Sequence, residues 1–261
     1  MIETVRYEVQ DRVATLTVDR PSVKNALGPE EWQALRTLAV RAGEDPAVRV
    51  LIVRGAGGVF SAGGDLKTMP ERLALPRHVR RANLLADAQV VTTLRELGKP
   101  VIALIEGAAV GAGLSLALAC DLRFAATDAK LGATFHKVGL TGDFGLLWLL
   151  PRAIGPTRAM DLLLSAELVD GTQAAALGLV SRVFAPERLV DETYAYARRL
   201  ADGPPVAIAY TKRGLHLALE AELAELLAFE ADAQAACGKT DDAQEGLTAF
   251  LEKRKPSFRG R

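Results

Sequence analysis

The first half of the chain alternates between two kinds of hydrophobic pattern. Short runs rich in β-branched and other apolar residues predict five strands. These are Val5–Val9, Val13–Val18, Val48–Gly55, Pro100–Ile105 and Cys120–Thr127. Between the second and the third of them, Pro29–Ala42 predicts a helix, because two glutamates occupy its first turn and Gly43 follows its end. Strands separated by helices favour a layered α/β fold.

From Pro156 onward the pattern becomes mostly that of amphipathic helices. Glycine and proline breaks separate these stretches at Gly171, Gly178, Pro186 and Gly203–Pro205. A length of 261 residues allows one large domain with an appended region. We therefore expect an α/β core followed by a mainly helical C-terminal part.

Composition narrows the classes of function. Lys+Arg and Asp+Glu both number 32, so the formal charge is zero and no overall basic surface is available for nucleic acid or an anionic membrane. Two cysteines and a start without an apolar signal region favour a reduced, cytoplasmic setting. The three histidines lie far apart and outside any metal-ligand spacing, so we expect no metal site.

The run Val101–Cys120 is apolar, carries three glycines and has Glu106 as its only charge. A membrane helix would be interrupted by those glycines and would stand alone in the chain. A dinucleotide-binding loop would need a third glycine where the chain has Leu116. A hydrolase elbow would need its serine on the turn after a strand, whereas Ser115 lies ten residues past Ile105, inside a predicted helix.

A fourth interpretation treats the glycines as room for a ligand. A strand ends at Ile105 and a helix starts near Ala112, so the first N–H groups of that helix lack partners. The segment Gly55–Met69 also follows a strand, and we expect a short helix to begin at Asp65. When amides from two such loops converge they form an oxyanion hole, and each donor is worth about 2.7–4 kcal/mol in the transition state. This predicts that the run is a wall of an active site.

Six blocks of sequence support that interpretation. They are DRPSVKNAL, VFSAGGDL, EGAAVGAGLSLALACDLRFA, LGATFHKVGLTGDFGLLWLLPRAIG, AAALGLVSRV and LTAFLEKRKPSF. In this order they resemble the enoyl-CoA hydratase/isomerase group of the crotonase superfamily over nearly the whole chain. The resemblance implies an α/β fold. Its core, over residues 1–195, would be a crotonase-like spiral of ββα turns that holds the active site. Residues 196–261 would then form a helical C-terminal region that trimerises and covers coenzyme A.

The same resemblance implies the substrate and the assembly. The substrate would be an acyl-CoA thioester, with coenzyme A as part of the substrate and no separate cofactor. We expect a homotrimer or a dimer of trimers, and neither nucleic acid nor membrane as a partner.

The resemblance also implies the site residues. Main-chain N–H groups of Gly64 and Ala112 would be the oxyanion donors, although Ala112 stands where the family commonly has glycine. Family hydratases use two glutamates, and their places hold Ser115 and Phe135, neither of which is a carboxylate base. Family isomerases keep one catalytic Asp or Glu where this chain has Asp143. Further substrate contacts are implied at Lys24, Ala62, Asp65, Leu66, Ser115, Phe135, Lys253 and Phe258.

Some of these residues also admit purely structural roles. Ser115 lies three residues after Ala112 on the same helix face, and it either touches substrate or packs as a small polar group. Asp65 is expected to cap the first oxyanion loop. Lys253 and Phe258 belong to a tail with five basic residues in nine, which is usually a solvated end. The resemblance instead assigns Lys253 to the CoA phosphates and Phe258 to the adenine.

The surroundings of Asp143 decide the predicted chemistry. Its apolar sequence neighbours Phe135, Phe144, Leu146 and Trp148 predict a raised carboxyl pKa, which suits proton transfer near neutral pH. The alternative is a cap on the helix that begins near Leu146. We therefore predict an enoyl-CoA isomerase, with a hydratase or ring-epoxide CoA isomerase of the same family as the alternative. A serine-dependent acyl-CoA hydrolase and a non-catalytic acyl-CoA-binding protein are alternatives of other classes.

Overall fold

The computed structural model describes residues 4–261. Its strands are β1 (Val5–Gln10), β2 (Val13–Val18), β3 (Val50–Gly55), β4 (Val101–Ile105), β5 (Ala108–Val110), β6 (Leu122–Ala126), β7 (Lys130–Gly132), β8 (Val169–Asp170) and β9 (Arg182–Phe184). Six strands of this described part form a large sheet in the spatial order β1-β2-β3-β4-β6-β9. The other three form a small sheet in the order β5-β7-β8.

Helices connect and cover these strands. Within residues 4–261 the α-helices are α1 (Pro29–Glu44), α2 (Met69–Ala74), α3 (Arg77–Asp87), α4 (Gln89–Glu96), α5 (Ala112–Ala119), α6 (Leu146–Ile154), α7 (Pro156–Ser165), α8 (Gly171–Leu177), α9 (Pro186–Ala201), α10 (Pro205–Leu217), α11 (Leu223–Cys237) and α12 (Asp241–Leu251). Short 3₁₀ turns occupy Pro21–Val23 and Thr134–Val138. None of these helices is both long and apolar enough to cross a membrane.

The large sheet is mostly parallel and forms the core. Only β1 runs antiparallel to its neighbour, β2. The two strands are joined by Asp11 and Arg12, which both have positive φ, as the central residues of a type I′ hairpin turn do. The following pairs, β2-β3, β3-β4, β4-β6 and β6-β9, are parallel. Every residue of β2 and β4 is buried, because α1 and α9 pack on strands of this sheet and parallel strands are usually covered on both faces.

The small sheet brings three loops together at the start of α5. Strand β5 pairs in parallel with β7, and Ala109 within β5 also forms a bridge with Ser61. A second parallel bridge joins Leu27 to Gly64. The loop before α1, the loop after β3 and the glycine-rich run therefore meet at one place.

The hydrophobic pattern predicted these elements with small errors at their ends. All five predicted strands are present and end within two residues of the predicted limits, and the predicted α1 helix extends to Glu44. The predicted helix at Asp65 is wrong, because Asp65 Oδ1 accepts a hydrogen bond of 3.0 Å from the N–H of Lys67 and holds a turn there. Helix α2 begins only at Met69.

The C-terminal part is helical, as the pattern predicts. Helices α10, α11 and α12 follow α9, and the predicted division after residue 195 falls inside α9, which continues to Ala201. These last helices leave several large apolar side chains exposed. Among them are Leu215, Leu223, Leu247, Phe250 and Leu251.

Candidate active site

A cavity of about 240 Å³ opens where the two glycine-rich loops meet. This volume is below the roughly 300–1,000 Å³ of sites that enclose a drug-sized ligand. It has room for the reacting end of a substrate but not for all of a large one. Residues from both loops line it, together with side chains from α1, α2, α3, the turn Thr134–Val138 and the loop that holds Asp143.

Gly64 presents the first free amide. The N–H of Leu27 donates to Gly63 O at 2.8 Å, and the N–H of Asp65 donates to Leu27 O at 3.1 Å. In a parallel bridge of this kind the residue between the two bonded groups points its own N–H away from the partner strand. Gly64 is that residue and lines the cavity, and no main-chain acceptor in residues 4–261 takes its N–H.

Ala112 presents the second free amide. It is the first residue of α5, where the N–H groups have no acceptor within the helix. The chain turns into the helix at Gly111, whose φ of +55° favours glycine. Ala112 lines the same cavity as Gly64.

The two loops touch at Gly63, which explains why glycine is needed there. Its φ is +101°, and a Cβ atom on it would lie 2.6 Å from Val110 O and 3.5 Å from Ala112 N. A side chain at this position would push the loop of Gly64 away from α5. The spacing of the two amides therefore depends on the missing side chain.

Buried polar groups fix the first loop. The Ser61 hydroxyl donates to Asn25 O at 2.8 Å and accepts from the N–H of Gly63 at 3.1 Å. The Asp65 carboxylate accepts from Arg20 at 2.9 Å, and the same guanidinium pairs with buried Glu31 at 3.3 Å. Burial alone would raise the pKa of Asp65, but the hydrogen bonds from Arg20 and the Lys67 N–H hold it below its ordinary value. Asp65 thus holds the shape of the loop through its ion pair.

Asp143 lines the same cavity as the two amides, on a loop whose backbone is constrained on both sides. Its main-chain carbonyl accepts hydrogen bonds from the Ser115 hydroxyl and from the N–H of Leu146, both at 3.0 Å. The next residue, Phe144, has a φ of +49° and stacks on Trp32 with ring centroids 4.1 Å apart. These contacts determine where the carboxyl group of Asp143 points.

Burial changes the acidity of Asp143. Loss of solvent raises its pKa from 3.8 to about 6, although Arg72 and Arg80 pull it down. Its Oδ1 atom is buried and has no hydrogen-bond partner among the described residues. The alternative role as a helix cap is wrong, because Gly145 is the N-cap of α6 and no side chain caps that helix. The carboxyl group is therefore free to exchange a proton with a molecule in the cavity.

The other predicted site residues divide into two groups. Ala62, Leu66 and Phe135 line the cavity with Gly64, Ala112 and Asp143. Lys24, Asp65, Ser115, Lys253 and Phe258 do not line it.

Ser115 occupies the position of a structural residue. It is fully buried within α5 and its hydroxyl donates to Asp143 O, which supports the packing role, one of the two roles expected for it. The same contacts give no support to the alternative of a serine-dependent hydrolase. Glu106 is likewise structural, since it pairs with Arg54 at 2.7 Å.

The remaining predicted residues lie outside the cavity of this chain. Lys24 is exposed, and its main-chain carbonyl accepts from the N–H of Ala62 at 2.9 Å. Lys253 is also exposed, whereas Phe258 packs close to Gly246 in α12. Trp148, which was expected beside Asp143, instead lies between the guanidinium groups of Arg95 and Arg152.

Sequence reasoning missed four cavity residues that matter for its chemistry. Trp32 in α1 and Met69 in α2 add apolar walls, and Arg72 and Arg80 add two cations. The sequence pattern does indicate that Trp32 faces inward, since a large aromatic residue in an amphipathic helix usually faces the core. Nothing in the sequence indicates that the two arginines line the cavity, because charged residues in an amphipathic segment ordinarily face solvent.

Comparison with known proteins identifies the family. The model of the enoyl-CoA hydratase/isomerase family matches residues 8–261. The (E)-benzylidenesuccinyl-CoA hydratase of Thauera aromatica is 37% identical over 98% of this chain and 99% of that protein. The 1,2-epoxyphenylacetyl-CoA isomerase of Escherichia coli is 35% identical over the full length of both chains. The crystal structure of an enoyl-CoA hydratase from Polaromonas sp. JS666 superposes with a TM-score of 0.94 at 33% identity, covering 97% of this chain and 99% of that one.

These similarities agree with the fold described above. The predicted α/β crotonase fold with a helical C-terminal region is confirmed. The chain belongs to the enoyl-CoA hydratase/isomerase family of the crotonase superfamily, whose enzymes act on acyl-CoA thioesters.

Proposed function

We propose that this enzyme is an enoyl-CoA isomerase that moves a double bond by proton transfer at a single carboxylate. The observation that carries the proposal is the cavity lining, in which Asp143 is the one acidic residue among those the structure describes. The positions of the two family glutamates hold buried Ser115 and Phe135. One acid that gives and takes a proton is sufficient for isomerisation.

The main-chain amides supply the charge stabilisation. The thioester oxygen accepts hydrogen bonds from the N–H groups of Gly64 and Ala112, which lower the energy of an enolate. These donors belong to a loop and to a helix start that are already held in place, so little reorganisation is needed when the charge develops.

Asp143 carries out both proton transfers. Its carboxylate removes a proton from C2 of a 3-enoyl thioester, and the electrons of that C–H bond form the C1–C2 double bond of the enolate. As the enolate collapses, the electron pair of the 3,4 double bond takes a proton from the Asp143 carboxyl group at C4. The product is the 2-enoyl thioester, and Asp143 is again ionised. A pKa near 6 suits a group that must act as base and acid in one cycle.

Hydration is the second candidate, since most of the similar curated proteins are named hydratases. A hydratase with this cavity would have to activate water and protonate carbon with Asp143 alone. The Ser115 hydroxyl gives no help, because it donates to a main-chain carbonyl. These contacts favour isomerisation over hydration.

Incubation with 3-enoyl-CoA and 2-enoyl-CoA esters in deuterated water tests the proposal. We expect label at C2 or C4 and no added oxygen. The Asp143→Asn variant should lose nearly all turnover but still bind the CoA ester. The exposed Asp128→Asn variant, in the turn before β7, is the matched control and should be active. A 3-hydroxyacyl product from the wild type, or full turnover by Asp143→Asn, would reject the assignment.

The assembly and the CoA contacts belong to the same proposal. We infer that other copies of this chain cover the exposed apolar side chains of α11 and α12, giving a trimer or a dimer of trimers. In that assembly Lys24, Lys253 and Phe258 would lie along the CoA part of a substrate whose acyl end occupies the cavity. Light scattering on the purified protein measures the assembly directly, and a monomer would contradict this part.

A further inference from the structure

The cavity holds more positive charge than the proposed reaction uses. Arg72, Arg80 and Lys137 line it, against the single carboxyl group of Asp143. Proton transfer on an unbranched hydrocarbon chain needs the two amides and Asp143 but none of these cations. Lys137 is exposed at the rim, whereas both arginines are half-buried, so the arginines are the groups to explain.

Arg72 already has a partner and is fixed by it. Its guanidinium pairs with Asp87 at 3.3 Å, and both side chains are largely shielded from solvent. Asp87 lies at the end of α3 and does not line the cavity. Arg72 thus presents a positively charged edge to the cavity while its ion pair holds it in place.

Arg80 has no such partner. Among the described residues its guanidinium makes neither a hydrogen bond nor an ion pair within 4.0 Å. It lies one helical turn before Leu84 on α3, and both side chains line the cavity, which places the arginine on the inward face of the helix. A half-buried guanidinium without an anion is costly, because it loses solvent without gaining a counter-charge.

The position of the arginines relative to Asp143 indicates what they meet. Both act on the Asp143 carboxyl group through space, yet neither lies within 4.0 Å of it as an ion pair. They therefore share the cavity with the proposed acid/base without neutralising it, so an anionic group of a bound acyl chain would find its counter-charge there. The planar guanidinium fork matches a carboxylate in two parallel hydrogen bonds.

We propose that Arg80, with Arg72 beside it, binds a carboxylate at the far end of the acyl group, so the preferred substrates are mono-CoA thioesters of unsaturated dicarboxylic acids. This inference rests on the proposed function for the reaction, and it adds the substrate class. A phosphate of coenzyme A carries the same kind of charge, so the experiment must separate the two anions.

The test compares two thioesters of equal chain length, one ending in a carboxylate and one ending in a methyl group. We expect the wild type to prefer the first in kcat/KM. Arg80→Met should reduce kcat/KM for the carboxylate-ended thioester about 10- to 100-fold and leave the methyl-ended one nearly unchanged. Arg81→Met, an exposed arginine of the same helix, is the matched control and should change neither.

Three outcomes would overturn the inference. An equal loss on both thioesters would assign Arg80 to a phosphate of coenzyme A, which both substrates share. A wild type that prefers the methyl-ended thioester would exclude a carboxylate site. Arg80→Met could also act only on the pH profile of kcat/KM, by shifting its acid limb to higher pH by the same amount for both substrates. That result would mean that Arg80 acts on Asp143 alone.

Binding of saturated thioesters separates this inference from the proposed reaction. A saturated dicarboxylic mono-CoA thioester has no double bond to move, so its Kd reports recognition alone. We expect calorimetry to show tighter binding of this ligand than of its methyl-ended analogue, and loss of the difference in Arg80→Met. If the label experiment rejects isomerisation while this difference persists, the substrate class stands and only the reaction changes.

Discussion

The Ser115 hydroxyl donates a hydrogen bond of 3.0 Å to the main-chain carbonyl of Asp143, 28 residues away in sequence. Ser115 projects from α5, the helix whose first residue, Ala112, presents a free main-chain amide to the cavity. One short helix therefore positions two parts of the site. It carries Ala112 directly, and through Ser115 it holds the loop of the proposed acid/base.

Ser115→Ala tests this positioning role. The variant removes the anchor of the Asp143 loop but leaves both amides and the carboxyl group in place. We expect kcat to fall about 10-fold, as loss of roughly 1.4 kcal/mol of transition-state stabilisation would give, with a smaller change in KM. Steady-state kinetics on a 3-enoyl-CoA ester measures both constants.

Thr193→Val is the control for Ser115→Ala. Thr193 is fully buried in α9, and its hydroxyl also donates to a main-chain carbonyl, that of Leu189 at 2.7 Å. Both variants should lose a similar amount of stability, about 1 kcal/mol. If both also retained the same kcat, Ser115 would have no special relation to Asp143.

The pH dependence of kcat/KM reports the ionisation of Asp143. In the free enzyme the group must be a carboxylate to remove a proton, and burial raises its pKa to about 6. The rate constant should therefore rise with pH through about 6 and level off above it. An acid limb near pH 4, the range of an unperturbed Asp, would contradict the buried position of this carboxyl group.

The raised pKa of Asp143 also lowers the free energy of unfolding at neutral pH. Its pKa in the folded protein lies above the ordinary value of 3.8, so between about pH 4 and 6 the folded state holds a proton that the unfolded chain releases. Stability must fall as pH rises through this window, and the cost is complete above pH 6. Asp143→Asn removes the cost and should be the more stable protein at pH 8, by roughly 1–3 kcal/mol.

Urea unfolding at pH 8 and at pH 4.5 checks this stability prediction. The advantage of Asp143→Asn should be largest at pH 8 and should shrink as the pH is lowered. Asp128→Asn, which changes an exposed carboxylate, should show a much smaller dependence on pH. A constant difference between wild type and Asp143→Asn at both pH values would argue against a raised pKa.

Gly63→Ala tests the contact between the two loops. The new Cβ atom would meet Val110 O at 2.6 Å, so the loop of Gly64 must move away from Ala112. Loss of one correctly placed oxyanion donor costs about 10²–10³ in kcat, and we expect a fall of that size.

Gly58→Ala is the matched control in the same loop. Gly58 also has a positive φ, +74°, but no atom lies within 4 Å of the position of its Cβ. Both variants lose the conformational freedom of glycine, and only Gly63→Ala forces the loops apart. Equal activity of the two variants would show that the loop contact does not set the spacing of the amides.

The sequence by itself determined the elements that carry the site. Periodic apolar runs fixed the strands and α1, and glycines after β3 and before α5 marked the two places where main-chain amides are free. Asp143, between Phe135 and Phe144, was recognisable as an acid in an apolar setting. Features of this kind are local, because backbone conformation and hydrophobic period depend on neighbouring residues.

Tertiary structure alone decided which distant groups meet. The sequence leaves Ser115 either a substrate contact or a packed polar group, and it is the packing of α5 that turns its hydroxyl to the Asp143 loop. Trp148 is close to Asp143 in sequence, but its ring lies between Arg95 and Arg152. Arg80 gave no signal, since only the docking of α3 turns it into the cavity. Such contacts join segments far apart in the chain, and they depend on how whole elements pack, which local propensity does not encode.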